Sequence, residues 1–218
     1  MKVLLGLVLL GHLVVATIAG AQAIPPAHDG AWRVSLTIGT STFSGAATST
    51  DESTGNLVFR PYRPTMLGVG LTYGRERARF GLFAKYGQPG LGFRGVPGGG
   101  EASAAGLLIV VENAFHLASI TASAGTRVAR LRGGPVLRSS LGLTVEHWSA
   151  PGTPVRALMG PQAGLALEFT LTGSLFANID GELGFTPGSP FQVEDLPDGF
   201  RLRSTWRRTL QAGLSLKL

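Results

Sequence analysis

The chain has 218 residues, a formal charge of +6, 32 glycines and no cysteine. Charged residues make up only 15% of it, against roughly 25% in an ordinary water-soluble domain, so part of its folded surface must face something other than water. The lack of cysteine excludes both a disulfide framework and a lipid-modified cysteine.

The first residues, MKVLLGLVLLGHLVVATIAGAQA, place one lysine before a long apolar run that closes on Ala21-Gln22-Ala23. This is the layout of a secretory signal peptide over residues 1–23, leaving 24–218 as one domain. A retained N-terminal membrane anchor is the alternative, but Gly6, Gly11, His12 and the small residues at the exit favour cleavage. The pI near 10.5 would suit nucleic acid. Its basic residues are spread along an exported chain, so anionic lipid head groups are the expected counter-charge and nucleic acid is not an expected partner.

Beyond residue 24 the apolar period is two. Leu67, Val69, Leu71 and Tyr73 alternate with Gly68, Gly70 and Thr72, and Phe80, Leu82, Ala84 and Tyr86 with Arg79, Gly81, Phe83 and Lys85. Leu137, Leu141, Leu143 and Val145 oppose Arg138, Ser140, Thr144 and Glu146. Ala163, Leu165, Leu167 and Phe169 oppose Gln162, Gly164 and Glu168, and Leu175, Ala177, Ile179, Leu183 and Phe185 oppose Asn178, Asp180 and Glu182. Many second-face residues are small, as the crowded interior of a narrow barrel requires. Residues 74–77 and 171–174 read as tight links, whereas 45–62, 88–102, 148–157 and 187–200 read as long loops. Alternation of short and long connections is that of a membrane barrel, with apolar faces to lipid and polar faces to the lumen. With both termini on one side, the expected fold is a closed all-β, antiparallel up-and-down transmembrane barrel of eight strands. Residues 103–134 hold two apolar segments, near 107–111 and 117–124; one long strand from about 104 to 119, followed by a turn, keeps the count even. Ten strands are the alternative if another lies in a loop.

The chain ends QAGLSLKL, alternating to its last residue. Gln211, Gly213, Leu216 and Leu218 resemble the terminal strand by which the barrel-assembly machinery captures outer-membrane proteins, with Leu at both final positions where aromatics are usual. With the strand pattern, this makes residues 24–218 resemble the small OmpA- or OmpX-like outer-membrane β-barrel domains. The resemblance implies a bacterial outer-membrane location, with membrane lipids and the assembly machinery as partners.

Within that frame, Tyr86, Phe185 and Trp206 are expected in an outer interfacial girdle, and Tyr73 and Phe169 in an inner one. Arg208 shares the lipid-facing parity; at the midplane it would cost about 2–4 kcal/mol, and at the rim it could snorkel to a lipid phosphate. Arg138, Glu168, Asp180, Glu182, Arg203 and Arg207, together with Glu146 and Lys217, are expected to form an ionic plug, with Asp180 opposite Arg207 and Arg138 close to Glu168. A structural or surface-interaction role follows from a filled lumen and long loops.

Two other functions compete. His147-x-Ser149 resembles the motif of lipid A 3-O-deacylases, which are also small outer-membrane barrels, and implies acyl hydrolysis. Ala150 stands where that family has Asn, and residues 150–167 hold no acid to orient the histidine. A soluble lipocalin-like carrier would instead line an apolar pocket with Phe83 and Phe176. No catalytic, cofactor or metal site is expected: His12, His28, His116 and His147 are isolated, and GVPGGGE lacks the ending of a phosphate loop.

Overall fold

The computed structural model describes residues 30–49, 57–75, 77–95, 107–132, 134–192, 196 and 199–218. The signal-peptide reading lies outside the described residues. Eight antiparallel strands close into a barrel: β1 (Ala31–Ser49), β3 (Thr65–Gly74), β4 (Ala78–Gly87), β7 (His116–Arg130), β8 (Val136–Ser149), β9 (Arg156–Thr170), β10 (Leu175–Thr186) and β11 (Phe200–Lys217). Three shorter strands, β2 (Val58–Tyr62), β5 (Gly90–Gly95) and β6 (Leu107–Val111), extend the sheet from β1 as a ribbon at the loop end.

Closure runs along β1 and β11, from Arg33 opposite Lys217 to Gly45 opposite Thr205. Leu218 lengthens the seam by donating its N–H to the Trp32 carbonyl at 2.9 Å. Links at residues 75–77, 131–135 and 171–174 are short and share one end with the chain terminus. The strand expected over 104–119 is displaced: residues 107–111 belong to the ribbon, while the barrel strand is β7, His116–Arg130, turning at 131–135. Both segments are apolar. They divide because Leu91 to Gly95 of β5 pair with 107–111, whereas Ala78 to Gly87 of β4 pair with 117–126.

Polarity is inverted relative to a protein dissolved in water. Leu141 is 71% exposed and Phe80 66%, while Lys85 and Arg207 are only 5% and 3% exposed. Leu36, Ile38, Leu67, Leu82, Leu143, Leu165, Leu210 and Leu214 complete an exposed apolar belt around the barrel. Among the described residues no helix is long and apolar enough to cross a membrane; the barrel strands, ten to nineteen residues each, meet or exceed the nine to eleven tilted residues that a crossing needs.

Glycine allows close approach at the seam. A Cβ on Gly39 would overlap the Leu210 backbone oxygen and the backbone of Gln211, whereas one on Gly181 would meet nothing within 4 Å. Higher up, Gly45 and Ala46 adopt φ of 90° and 78°, and the register against β11 shifts between Gly45 and Ala47. An alanine in the left-handed region costs about 1–2 kcal/mol. Here Ala46 is fully buried, with Ala47 and Phe191 in the same apolar cluster. Gly39→Val is expected to cost about 1–3 kcal/mol through overpacking of the seam, and Gly181→Ala to be neutral, as measured by urea unfolding of refolded protein in lipid vesicles.

Candidate functional site: the barrel lumen and its outer cap

Inward residues meet in the lumen because each strand sends every second side chain there. Toward the turn end, Glu168 on β9 accepts hydrogen bonds from Arg33 of β1 at 2.9 Å and from Arg79 of β4 at 2.5 and 3.2 Å. Arg138 of β8 stands 3.7 Å from the same carboxylate, because Glu168 lies opposite Val136, two residues away. Phe176 of β10 packs on the Arg33 guanidinium, 3.8 Å from ring centroid to carbon. Glu168 and the three arginines line a cavity of about 150 Å³ whose wall also includes Ser35, Phe83 and Asp180. The apolar pocket of a soluble carrier is therefore not built here: Phe83 and Phe176 sit among charges.

Between the two ends, the Lys85 ammonium donates to both oxygens of Glu182 at 2.5 Å, and Gln211 donates to Glu182 at 3.0 Å. Asn178 donates to Asp180. Arg207 lies 2.7 Å from Glu146 and donates to Gln162 at 2.8 Å; Thr144 also donates to Gln162, at 2.9 Å. Trp148 donates its indole N–H to Glu146 at 3.0 Å.

At the loop end the lumen becomes apolar. Phe43, Met66, Leu117 and Trp148, none more than 4% exposed, fill it as a plug. Phe115 joins this plug to a second apolar cluster by facing Trp148 at 6.3 Å and Phe191 at 5.6 Å edge-on. That cluster, with Ala46, Ala47, Phe59, Leu91, Leu196 and Leu202, packs the ribbon onto the upper barrel wall. Trp148 shares the parity of Glu146 and Phe43 that of Ser41, so the plug was readable from alternation. The expectation that inward residues are polar or small obscured it.

Three expected placements are corrected. Asp180 lies opposite Gln211, and Arg207 opposite Gly184, four residues further toward the loop end; a long connection such as 187–199 leaves register free, so the sequence could not set it. Arg203 leaves the lumen: it is exposed and donates to Thr48 at 2.9 Å, because parity on β11 changes at the bulge and turns Leu202 inward instead. Lys217 is exposed at the turn end.

Aromatic residues gather at both rims. Phe185 and Trp206 lie 4.8 Å apart at the loop end, where Tyr86 Oη and His116 Nδ1 are 2.8 Å apart. Tyr73 meets Trp32, which the sequence reading overlooked, at 4.8 Å near the turn end; Phe169 is opposite Ala177. His147 and Ser149 share the outer face of β8, opposite Ala118 and His116 respectively. Among the described residues no hydrogen bond joins His147 to Ser149, and the neighbouring Glu146 points inward to Arg207. In the terminal strand, Gln211 and Gly213 face the lumen, while Leu216 and Leu218 are exposed. No group of three metal-ligating residues occurs among the described residues.

No family model and no curated protein sequence matches this chain. Solved structures do. Neisserial surface protein A is 14% identical over 86% of this chain and 97% of its own, with a TM-score of 0.50. The outer membrane protein OprG from Pseudomonas aeruginosa is 10% identical over 87% of this chain and 96% of its own, with a TM-score of 0.53. The shared property is the fold, the closed eight-stranded barrel of small outer-membrane proteins.

Glu168 compensates several guanidinium charges at once, so its loss should cost more than the loss of any one arginine. Glu168→Gln is expected to destabilise the barrel by about 3–5 kcal/mol and Arg138→Gln by less, measured by urea unfolding in lipid vesicles.

Proposed function

We propose that this chain is an integral protein of the bacterial outer membrane with a structural or surface-interaction role, exported by a cleaved segment over residues 1–23 and neither a channel nor an enzyme. The observation that carries the reading is the combination of an apolar exterior with an interior that is ionic along its length and sealed at the loop end by Phe43, Met66, Leu117 and Trp148. The name of one fold neighbour, Neisserial surface protein A, agrees with it. Membrane lipids surround the belt, and the ribbon β2–β5–β6 forms part of the face presented to the outside.

An apolar plug opposes ion passage because a permeating ion would shed its hydration with nothing to replace it. Wild-type protein in planar bilayers is expected to show no conductance steps, and Phe43→Ala/Trp148→Ala to leak. Stable wild-type steps would overturn the sealed-barrel reading. Heat-dependent gel mobility of outer membranes washed with carbonate tests the location directly.

Gln211, Gly213, Leu216 and Leu218 serve, in this proposal, as the segment read by the barrel-assembly machinery. The Leu218 side chain is half exposed, while its backbone N–H holds the seam. Leu218→Ser should therefore refold in detergent as wild type does, yet assemble several-fold less efficiently in cells, as followed by the folded fraction on unheated gels. The acyl-hydrolase alternative has weaker support, since His147 and Ser149 face the lipid without a bond between them. Ser149→Ala is expected to leave the mass of lipid A unchanged.

A further inference from the structure

The outer face carries a polar patch near the loop end of β1. Along the outer face of β1 toward the loop end stand Thr40, Thr42 and Ser44 in succession, and beside them on β11 Arg208 lies opposite Thr42. Above, β2 and the link to β3 contribute Arg60, Tyr62 and Arg63, which with Thr42, Ser44 and Arg208 line a notch of about 160 Å³. The Arg63 guanidinium lies 5.9 Å from the Tyr62 ring centroid, over its face. Among the described residues none of the three arginines is paired with a carboxylate. This contrasts with the lumen, where Arg33, Arg79, Lys85 and Arg207 all meet acids.

Three guanidinium groups on one small notch repel one another unless an anion joins them. Guanidinium forks match the oxygens of a phosphate and form strong charge-assisted hydrogen bonds with it. The notch also has a defined depth. Arg208 lies two residues below Trp206 of the outer aromatic girdle, so its side chain reaches upward to the head-group level. Ile38 and Leu210, exposed further toward the turn end, offer acyl chains a surface below, with Leu183 exposed level with Arg208. Thr42, Ser44 and Tyr62 give hydroxyls to a polar head.

We infer that this notch binds a phosphate group of an outer-leaflet glycolipid, with Arg60, Arg63 and Arg208 converging on the phosphate and the acyl chains lying on Ile38 and Leu210. The inference rests on the outer-membrane reading, because a soluble barrel would present the notch to water.

The test uses full-length mature protein in nanodiscs, checked for its heat-dependent gel shift, with lipid retention counted by native mass spectrometry. The probes are diphosphoryl lipid A, the same lipid enzymatically dephosphorylated, and phosphatidylglycerol, with inorganic phosphate as a soluble competitor. Wild type should retain diphosphoryl lipid A in preference to the other two. Arg60→Gln/Arg208→Gln should weaken that retention by about tenfold or more, as loss of two charge-assisted contacts implies, whereas Arg201→Gln, an exposed arginine further along β11, should not change it. Equal retention of the dephosphorylated lipid or of phosphatidylglycerol, displacement by millimolar inorganic phosphate, or an unchanged double variant would overturn the inference. A wild-type protein that fails to enter nanodiscs and shows no gel shift would instead overturn the membrane reading beneath it.

Discussion

Closure of β1 on β11 is the constraint on which the rest of the molecule depends. In hydrocarbon an unpaired backbone N–H or C=O costs several kcal/mol, and an open sheet would expose two rows of them. The paired seam from Arg33–Lys217 to Gly45–Thr205 removes both rows at once. Only then can Leu141 and Phe80 face lipid while Lys85 meets Glu182 and Arg207 meets Glu146 in a confined interior. Eight strands give a lumen about as wide as its own side chains. On the inner face Gly70 and Gly81 make room for the Phe83 ring, and Gly68 for Thr37 and the Lys85 stem.

Much of this was legible in the sequence because a strand writes its two environments as alternate letters. The lipid-facing sets of β3, β4, β8, β9 and β10 follow from that period, and the eight-strand count from the alternation of tight links such as 74–77 and 171–174 with longer loops, both termini lying at one end. What alternation does not encode is which strand a segment pairs with. Residues 107–111 and 117–124 are equally apolar, and only their partners, β5 in one case and β4 in the other, send the first to the ribbon and the second to the barrel. Register across a long loop is similarly unwritten, which is why Asp180 lies opposite Gln211. The bulge at Gly45 and Ala46 inverts parity above it, so Arg203 moved outside while Leu202 moved in. The polar interruption at Thr40, Thr42 and Ser44 was present in the letters too, but its meaning depends on Arg60 and Arg63 arriving from another strand.

Charge is distributed by two different rules inside and outside the wall. Within the lumen, cations and carboxylates are interleaved on different strands, so each ion pair also ties one part of the wall to another: Arg33 and Arg79 reach across to β9, and Lys85 reaches from β4 to β10. An ionic interior of this kind resists both collapse and slippage, since a shifted strand would strand a charge without its partner. At the outer rim the arginines lack protein acids among the described residues, and the balance is left to the surroundings.

The plug of Phe43, Met66, Leu117 and Trp148 lies at one end only. Those residues are 0–4% exposed, whereas the side chains of Arg33, Arg79 and Arg138 at the opposite end keep 11–13% of their surface open. The interior is thus a blind well that opens at the turn end. Solvent reaches the Glu168 cluster from the turn end alone, whereas a solute arriving at the loop end meets the aromatic plug before it meets any of these charges.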